Sequence, residues 1–504
     1  MQSLTRTATV DGTEAILVTI ESTTTSGFAG LQLVGNISDL CRDGKERAKT
    51  VLENLGYKMG HKRILINFSP ADSRKEGNHF DLPIAISLAV LLSTKEAVEN
   101  TKDWLFAAEI GLDGSLRPSR GIIPLILAAM KEGLNGVVIS AENAKEVEAL
   151  QQVTSLHGRA FRFLCFDGLE DVLKWLFEGM APSSALPDVR IDDVEKPDDF
   201  DDMFLTPDLQ RLALCFAIGR HSLLLRGSPG CGKSMFAQRL PCLLPAVLSD
   251  IHIDCLRIHS LVTDRIPDSI LRGEPPFRSP HHTCSPQALL GTADQPGELS
   301  LAHGGILFLD ELPEFRRDLL EALREPLETG YLNISRAHKK LRWHSRVQLI
   351  AACNNCPCGY MDSKRRLCLC STQQRLNYNA RLSGPLLERI DIHYRMPELK
   401  PSQFSKSILK QTHRLLETVE TSRHFMYKRW GSQTDNASVT LDQIFESSLI
   451  DNNRRQNIME DLEKLQVSSR STLRLMRLAR TLADIDRSEG IGFEHIREAA
   501  AFRP

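Results

Sequence analysis

No stretch of this 504-residue chain approaches the roughly 18 consecutive apolar residues of a membrane span, which argues against a membrane protein. The opening residues, MQSLTRTATVDGTEA, lack the apolar core of a secretory signal. An excess of one charge is missing too. Lys and Arg number 62 against 64 Asp and Glu, a formal net charge of −2, so any contact with nucleic acid must be local rather than a bulk effect. There is no internal repeat, and the one biased tract is APSSALPDVRIDDVEKPDDFDD at 181–202. Most of the 12 cysteines are scattered singly, as at Cys215 and Cys255, where apolar neighbours suit a reduced core thiol. That usage points to a reducing cytoplasm.

The chain is too long for one hydrophobic core, and two or three domains are expected. Hydrophobic residues at 42% and charged residues at 25% are those of an ordinary globular protein. The Pro-, Ser- and Asp-rich tract at 181–202 reads as a linker. It divides an N-terminal α/β domain (1–180) from a nucleotide-binding core (203–397) and a helical remainder (398–504). In the first domain KRILINFSP and GVVIS read as strands, DLPIAISLAVLLS and GIIPLILAAMKEG as buried helices. From 203 onward strand and helix alternate, as in a doubly wound parallel sheet. Beyond about 400 the pattern is helical, most clearly in STLRLMRLARTLADID.

The most informative stretch is LLLRGSPGCGKSMFAQRL (223–240). A short apolar strand runs into Gly227, Ser228, Pro229, Gly230, Cys231, Gly232, Lys233 and Ser234, which match G-x-x-x-x-G-K-[ST] at every fixed position. Glycines at 227, 230 and 232 let backbone N–H groups converge on phosphate oxygens at a helix N-terminus. Lys233 reaches the β- and γ-phosphates, and the Ser234 hydroxyl ligates Mg²⁺. The pattern predicts a site for ATP with Mg²⁺.

Downstream, GGILFLDELPEF is a second apolar strand, ending in Asp310 and Glu311. The aspartate can hold Mg²⁺ through its water shell and the glutamate can polarise the attacking water. RVQLIAACNN ends in Asn354, which either positions that water and senses the γ-phosphate or merely ends the strand. Arg389, in RLSGPLLERIDIHYRMPE, lies between a helix end and another strand. An arginine supplied to a neighbour's γ-phosphate speeds hydrolysis by orders of magnitude, but a surface salt bridge has the same sequence. SSRSTLRLMRLAR carries Arg470, Arg474 and Arg477 on one helix, where a lid can return one of them to the phosphates.

P-loop, Asp-Glu, Asn, Arg and helical lid follow one another in the order of an AAA+ ATPase. The segments PFRSPHHTCSPQALLG, PGELSLAHGGILFLDELPEF, CPCGY and RLSGPLLERIDIH resemble the magnesium-chelatase-like ComM/YifB family, and the similarity runs from LVGNISDLCRDGKERAKTVLENLGY to LARTLADID. The resemblance implies an α/β AAA+ P-loop core with a C-terminal helical lid. It makes Lys233 and Ser234 Walker A, Asp310 and Glu311 Walker B and Asn354 sensor 1. Arg389 becomes the arginine finger, and Arg470, with Arg474 second, sensor 2. It further implies a homo-hexameric ring, a DNA helicase promoting branch migration in natural transformation. Single-stranded and branched DNA are then the partners, and a recombinase is a further one to test. The alternative is a chelatase-type motor that remodels a protein partner inserting a metal into a porphyrin. Two places depart from the family pattern. Phe204, Leu205 and Thr206 stand where members carry an Arg-Gly-Gln-like triplet, and the glycine-rich stretch after ALLG is reduced to TADQPG (292–297).

Two alternating runs, YLNISRA and LRWHSRV, flank His338, Lys339 and Lys340, which reads as a hairpin with a basic tip. In related ring helicases such a hairpin enters the pore, which would make Lys339 and Lys340 DNA contacts. A solvated turn is the plain alternative. His281 and His282 in SPHHT contact DNA or cap structure. Cys356-x-Cys358 and Cys368-x-Cys370 offer four soft ligands for a tetrahedral structural Zn²⁺, or else pair by oxidation or stay free. Bound zinc would pin the loop after sensor 1 and turn Lys364, Arg365 and Arg366 outward.

The first domain resembles the fold shared by ribosomal S5 domain 2 and the proteolytic domain of Lon. KEGNHFDLPIA sits where Lon-like proteases carry the nucleophile, but His79 and Phe80 stand there and no serine does. GIIPLILAAMKEG has no lysine in its first two turns, so a Ser-Lys dyad cannot be assembled. A DNA- or partner-binding platform is expected instead.

Overall fold

The computed structural model describes residues 2–154, 161–180, 198–336, 339–361, 363, 366–398, 410–431, 434–448, 450, 452–464 and 468–503. Alternation of small apolar residues with threonine and serine makes the first two segments strands, β1 (Gln2–Asp11) and β2 (Glu14–Thr25), paired antiparallel about a turn at Gly12. They are followed by β3 (Gly30–Val34), β4 (Arg63–Ser69), β5 (Trp104–Ala107), the short pair β6 (Glu109–Ile110) and β7 (Leu116–Arg117), β8 (Gly136–Ser140) and β9 (Arg162–Phe166). Seven of these form one mixed sheet in the order β3-β4-β2-β1-β5-β8-β9.

Both faces of that sheet are covered. Helices Asp39–Asn54, Asp81–Leu92 and Leu169–Glu178 pack on one face with Val18, Ile20, Trp104 and Phe106. Helices Ile122–Lys131 and Ala144–Val153 pack on the other with Ala8, Leu105, Val137 and Ile139. The apolar sequence DLPIAISLAVLL is buried along almost its whole length, as its lack of a polar face dictates.

The second unit is built on β10 (Leu223–Arg226), β11 (Phe277–Arg278), β12 (Ile306–Leu309), β15 (Gln348–Cys353) and β16 (Ile392–Arg395), all parallel, in the order β11-β12-β15-β10-β16. LLLR, ILFL and QLIAAC are continuous apolar runs because a parallel sheet is buried on both faces. Helices Gln411–Trp430, Leu441–Ser447, Ser469–Ile485 and Phe493–Ala501 follow and share a core with helix Pro207–Gly219. A hairpin of β13 (Tyr331–Arg336) and β14 (Lys339–His344) leaves the sheet between β12 and β15. Among the described residues no helix is long and apolar enough to cross a membrane.

Two features differ from the sequence reading. Residues 198–202, assigned to the linker, pack into the second unit. Phe200 is fully buried, its N–H bonds Thr412 Oγ1 at 2.9 Å, and Gln411 Nε2 donates to its carbonyl at 2.8 Å. Residues 181–197 lie outside the described residues. Lys339 and Lys340 do not form the hairpin tip. Their backbones pair with Arg336 and Ser335 at the start of β14, and positions 337–338 lie outside the described residues, as do Lys364 and Arg365.

The two units are also fastened together. Cys255 and Leu256 of helix Ser249–Ser260, with Ile266, Ile270 and Leu271, join the cluster on the second face of the N-terminal sheet. Around it Arg120 pairs with Asp264 at 2.9 Å, Arg257 with Glu14 at 2.9 Å and Arg265 with Glu142, while Gly121 N–H bonds Ser260 O at 2.7 Å. Leu256→Ala, which empties part of that cluster, is expected to cost about 2–5 kcal/mol and to lower one shared thermal transition. Two well-separated transitions in the wild-type chain would show the units to be uncoupled.

Candidate functional site

β10 runs straight into the phosphate loop, and helix Lys233–Arg239 begins where the loop ends. Gly230 (φ 73°) and Gly232 (φ 89°) adopt the left-handed backbone that lets the loop curl, a region costly for other residues. Gly227 is needed for a different reason, since a Cβ there would lie 2.8 Å from Cys231 Sγ. Lys233 Nζ points into the curl and donates to Gly227 O (2.9 Å), Ser228 O (3.1 Å) and Asn354 Oδ1 (3.1 Å). Ser234 Oγ donates to Asp310 Oδ2 at 2.5 Å. The hydroxyl and carboxylate chosen for Mg²⁺ are therefore already together, and hard oxygen donors at this spot fit that ion.

Glu311 has a left-handed backbone (φ 52°), uncommon for a side chain of its size. The twist swings it off the end of β12 toward His282, whose Nδ1 lies 3.3 Å from Glu311 Oε2. The His281 ring stacks on His282 at 4.1 Å. The sequence offered DNA contact or capping for this pair, and the structure puts His282 beside the carboxylate proposed to activate water. Only the adjacency of β11 and β12 reveals this.

The two arginines lie elsewhere. β16 runs parallel to β10 with Leu223 opposite Ile392 and Arg226 opposite Arg395, so Arg389 precedes the strands while the phosphate loop follows them. The four residues of β10 alone span about 13 Å. Arg389 Nη2 is 3.0 Å from Glu328 Oε2, and Arg470 Nη2 is 3.8 Å from Glu328 Oε1. Both guanidinium groups line a cavity of about 800 Å³ on that side. Helix Ser469–Ile485 thus does not return Arg470 to this chain's own phosphates but groups it with Arg389. Arg474 is held by the buried Asp391 and Arg477 donates to Val439 O at 2.8 Å, whereas Arg470 is more than half exposed.

The family-divergent triplet has structural work. Thr206 caps helix Pro207–Gly219, its hydroxyl accepting the Leu209 N–H at 3.3 Å, and Leu205 is buried in the core. Met203, three residues earlier than the cap, reaches the loop, lying 3.4 Å from the position of a Cβ at Gly232.

Beyond Asn354 the four clustered cysteines converge. Cys356 and Cys358 Sγ are 3.4 Å apart, and Cys368 Sγ is 3.6 Å from each. All four Sγ atoms lie within 4.8 Å of one another, and none is in a disulfide. A tetrahedron of thiolates at the Zn–S distance of about 2.3 Å has edges of about 3.8 Å, so the donor set fits that geometry. Burial pushes the Cys356 thiol up to about 12, while the Tyr360 N–H pulls Cys358 down to about 6. Asp254, His303 and His344 also converge, but His303 Nδ1 accepts the Arg346 N–H at 3.0 Å. That bond leaves the proton on Nε2, the nitrogen facing Asp254, and removes its lone pair from metal binding.

At the place of the Lon nucleophile loop His79 is buried, Nε2 lies 2.8 Å from Ala8 O, and burial lowers its pKa to about 4. It packs the domain.

A phosphate loop with a Walker-type Asp-Glu strand end, on a five-stranded parallel sheet followed by a helical lid, defines an AAA+ ATPase using ATP with Mg²⁺. Comparison with known proteins gives the narrower class. Family models described as magnesium chelatase, subunit ChlI; subunit ChlI of Mg-chelatase; and magnesium chelatase, subunit ChlI C-terminal match residues 199–404, 20–143 and 410–503. The chain is 34% identical over 501 residues to competence protein ComM of Haemophilus influenzae, covering 98% of this chain and 95% of that protein. It is 33% identical over 500 residues to YifB of Salmonella typhimurium, again 98% and 95%. A 173-residue stretch is 25% identical to Lon protease of Methylocella silvestris, covering 33% of this chain and 21% of that protein. The chain belongs to the magnesium-chelatase-like ComM/YifB family.

Lys233→Ala is expected to abolish nucleotide binding and hydrolysis together. Glu311→Gln should keep binding, measured with a fluorescent ATP analogue, and slow turnover by about 100-fold or more. Wild-type turnover in the glutamine variant would remove Glu311 from the reaction.

Proposed function

We propose that this chain is the subunit of a hexameric, ATP-driven DNA motor, a helicase that migrates branches in recombination intermediates during natural transformation. The observation that carries the reading is the placement of Lys233, Ser234, Asp310 and Glu311 at one end of the parallel strands and of Arg389 and Arg470 at the other. A γ-phosphate held by one copy can meet those arginines only on a neighbour, and head-to-tail contacts of that kind close into rings. In each site Ser234 and Asp310 would hold Mg²⁺, Glu311 would polarise the water, Asn354 would register the phosphate, and the neighbour's guanidinium groups would neutralise charge developing on the γ-oxygens.

The hairpin is the proposed DNA contact. It joins the Asp310–Glu311 strand to the Asn354 strand, and Lys339 and Lys340 open its return strand. Six copies would line a pore with lysines that track phosphates without regard to sequence. A structural Zn²⁺ on Cys356, Cys358, Cys368 and Cys370 completes the subunit. The cytoplasm is the proposed compartment, and a recombinase a partner that hands over the DNA. The competence name of the Haemophilus relative supports the transformation setting. The chelatase descriptions of the family models favour a second reading, a motor that remodels a protein partner.

The ATPase rate with and without single-stranded and forked DNA separates the two. Several-fold stimulation is expected, with Lys233→Ala inert. In the same assay Lys339→Ala with Lys340→Ala should lose DNA affinity and stimulation while basal hydrolysis persists. Activation by a protein partner and indifference to DNA would favour the remodelling motor.

A further inference from the structure

The loop after Asn354 carries its cysteines and leucines in alternation. Cys368 and Cys370 face the sulfur cluster, and the residues between and before them, Leu367 and Leu369, are 86% and 87% exposed. Met361 and Leu376 add to the same loop and its following helix at 46% and 59%. One bare leucine on a surface is ordinary, but four exposed large apolar side chains within sixteen residues, two of them almost fully bare, mark an interaction surface. Nothing in the described fold packs over them, although the loop is anchored firmly at its base. A Cβ at Gly359 would lie 2.5 Å from Pro229 of the phosphate loop and 3.6 Å from Asn354 Cγ, so the knuckle rests directly on the ATP site.

We propose that this knuckle is the seat of a second copy of the chain, with Leu367 and Leu369 packed against the partner's arginine-bearing face. The assignment rests on the ring reading above and adds to it the surface that makes the ring. The copy that brings Arg389 to a γ-phosphate held at Lys233 has to pass over Pro229 and Gly359, and therefore over the leucines. The face it presents suits them. Beside Arg389 and Arg470 it carries Ile251, Leu327, Val347 and Leu473 among charged groups such as Glu328 and Asp435. The contact is heterologous, knuckle on one copy and arginine face on the next, which repeats around a ring. The sulfur cluster gives the knuckle its shape. Only Cys356 of the four is fully buried, so a metal ion held by the thiols would stand in for the hydrophobic core that so short a loop lacks. The Arg366 guanidinium stacked 4.8 Å from the Tyr360 ring braces the same turn.

The test is the full-length Leu367→Asp/Leu369→Asp variant, with Leu367→Ser/Leu369→Ser beside it in case the charges disturb folding. Bound zinc, thermal unfolding and binding of a fluorescent ATP analogue are measured first and are expected to match wild type. Sedimentation with ATP and Mg²⁺ in a Glu311→Gln background should then show assembled wild type and unassembled variants. With Glu311 restored, hydrolysis should fall by about 1,000-fold, the scale of losing an arginine supplied in trans. Variants that assemble and hydrolyse like wild type overturn the proposal. So do variants that assemble normally and lose only DNA binding, which would make the knuckle a DNA contact. Mixing Lys233→Ala with Arg389→Ala chains tests the ring reading by itself. Recovered hydrolysis means sites shared between copies, so that normal assembly of the leucine variants would then sink the knuckle alone. Inert mixtures and a wild type that never assembles would sink both.

Discussion

In a parallel sheet every strand delivers its carboxyl end to the same edge. That is why β10, β12 and β15 place the phosphate loop, Asp310–Glu311 and Asn354 within reach of one nucleotide. The same rule puts everything that precedes the strands on the far edge, and Arg389, two residues ahead of Asp391, is bound by it. The phosphate loop and these arginines therefore lie at opposite edges of the same sheet. In the free chain Glu328 holds both Arg389 and Arg470, which keeps two cations close together without mutual repulsion going uncompensated.

The ammonium of Lys233 ties the phosphate loop to the end of the Asn354 strand. It is buried and must be satisfied, and it uses two loop carbonyls and the Asn354 side chain. A phosphate oxygen drawn to Lys233 competes for the bond to Asn354, which is the physical content of treating Asn354 as a sensor. Two residues beyond it the chain enters the sulfur cluster through Cys356, and Gly359 returns to press on Pro229. Loop, sensor and knuckle are one packed assembly.

Local chemistry was the legible part. Gly227 to Ser234 could be read because the fixed positions Gly227, Gly232, Lys233 and Ser234 each need the residue type found there, and the buried strands because a parallel sheet needs unbroken apolar runs. What escaped depended on distant partners. Phe200 is a lone aromatic in an acidic tract and reads as linker until Gln411 and Thr412, more than 200 residues away, are seen to hold its backbone. Helical periodicity identified Ser469–Ile485 as a helix but not which end of the sheet Arg470 would occupy. The neighbour relation of β11 and β12, not any motif, brings His282 to Glu311. In the cysteine loop attention to thiols and basic residues passed over the leucines that alternate with them.

The N-terminal unit resembles a protease domain without its nucleophile and is built into the ATPase unit. Helix Ser249–Ser260 is the connecting element. Its Cys255 and Leu256 enter the N-terminal cluster, while Asp254 on the same helix lies 2.7 Å from Nδ1 of His344, the last residue of β14. At the other side of the hairpin, Leu341 of β14 packs so closely on the β1–β2 turn that a Cβ at Gly12 would stand 2.7 Å from its Cδ2. The hairpin is therefore gripped at its base and along its return strand by elements that belong to, or are locked to, the N-terminal sheet. Any stroke that ATP turnover imposes between β12 and β15 has to move that sheet or slide against it. On the proposed reading of that hairpin as the DNA contact, the N-terminal unit is a mechanical part of the moving element rather than an appendage.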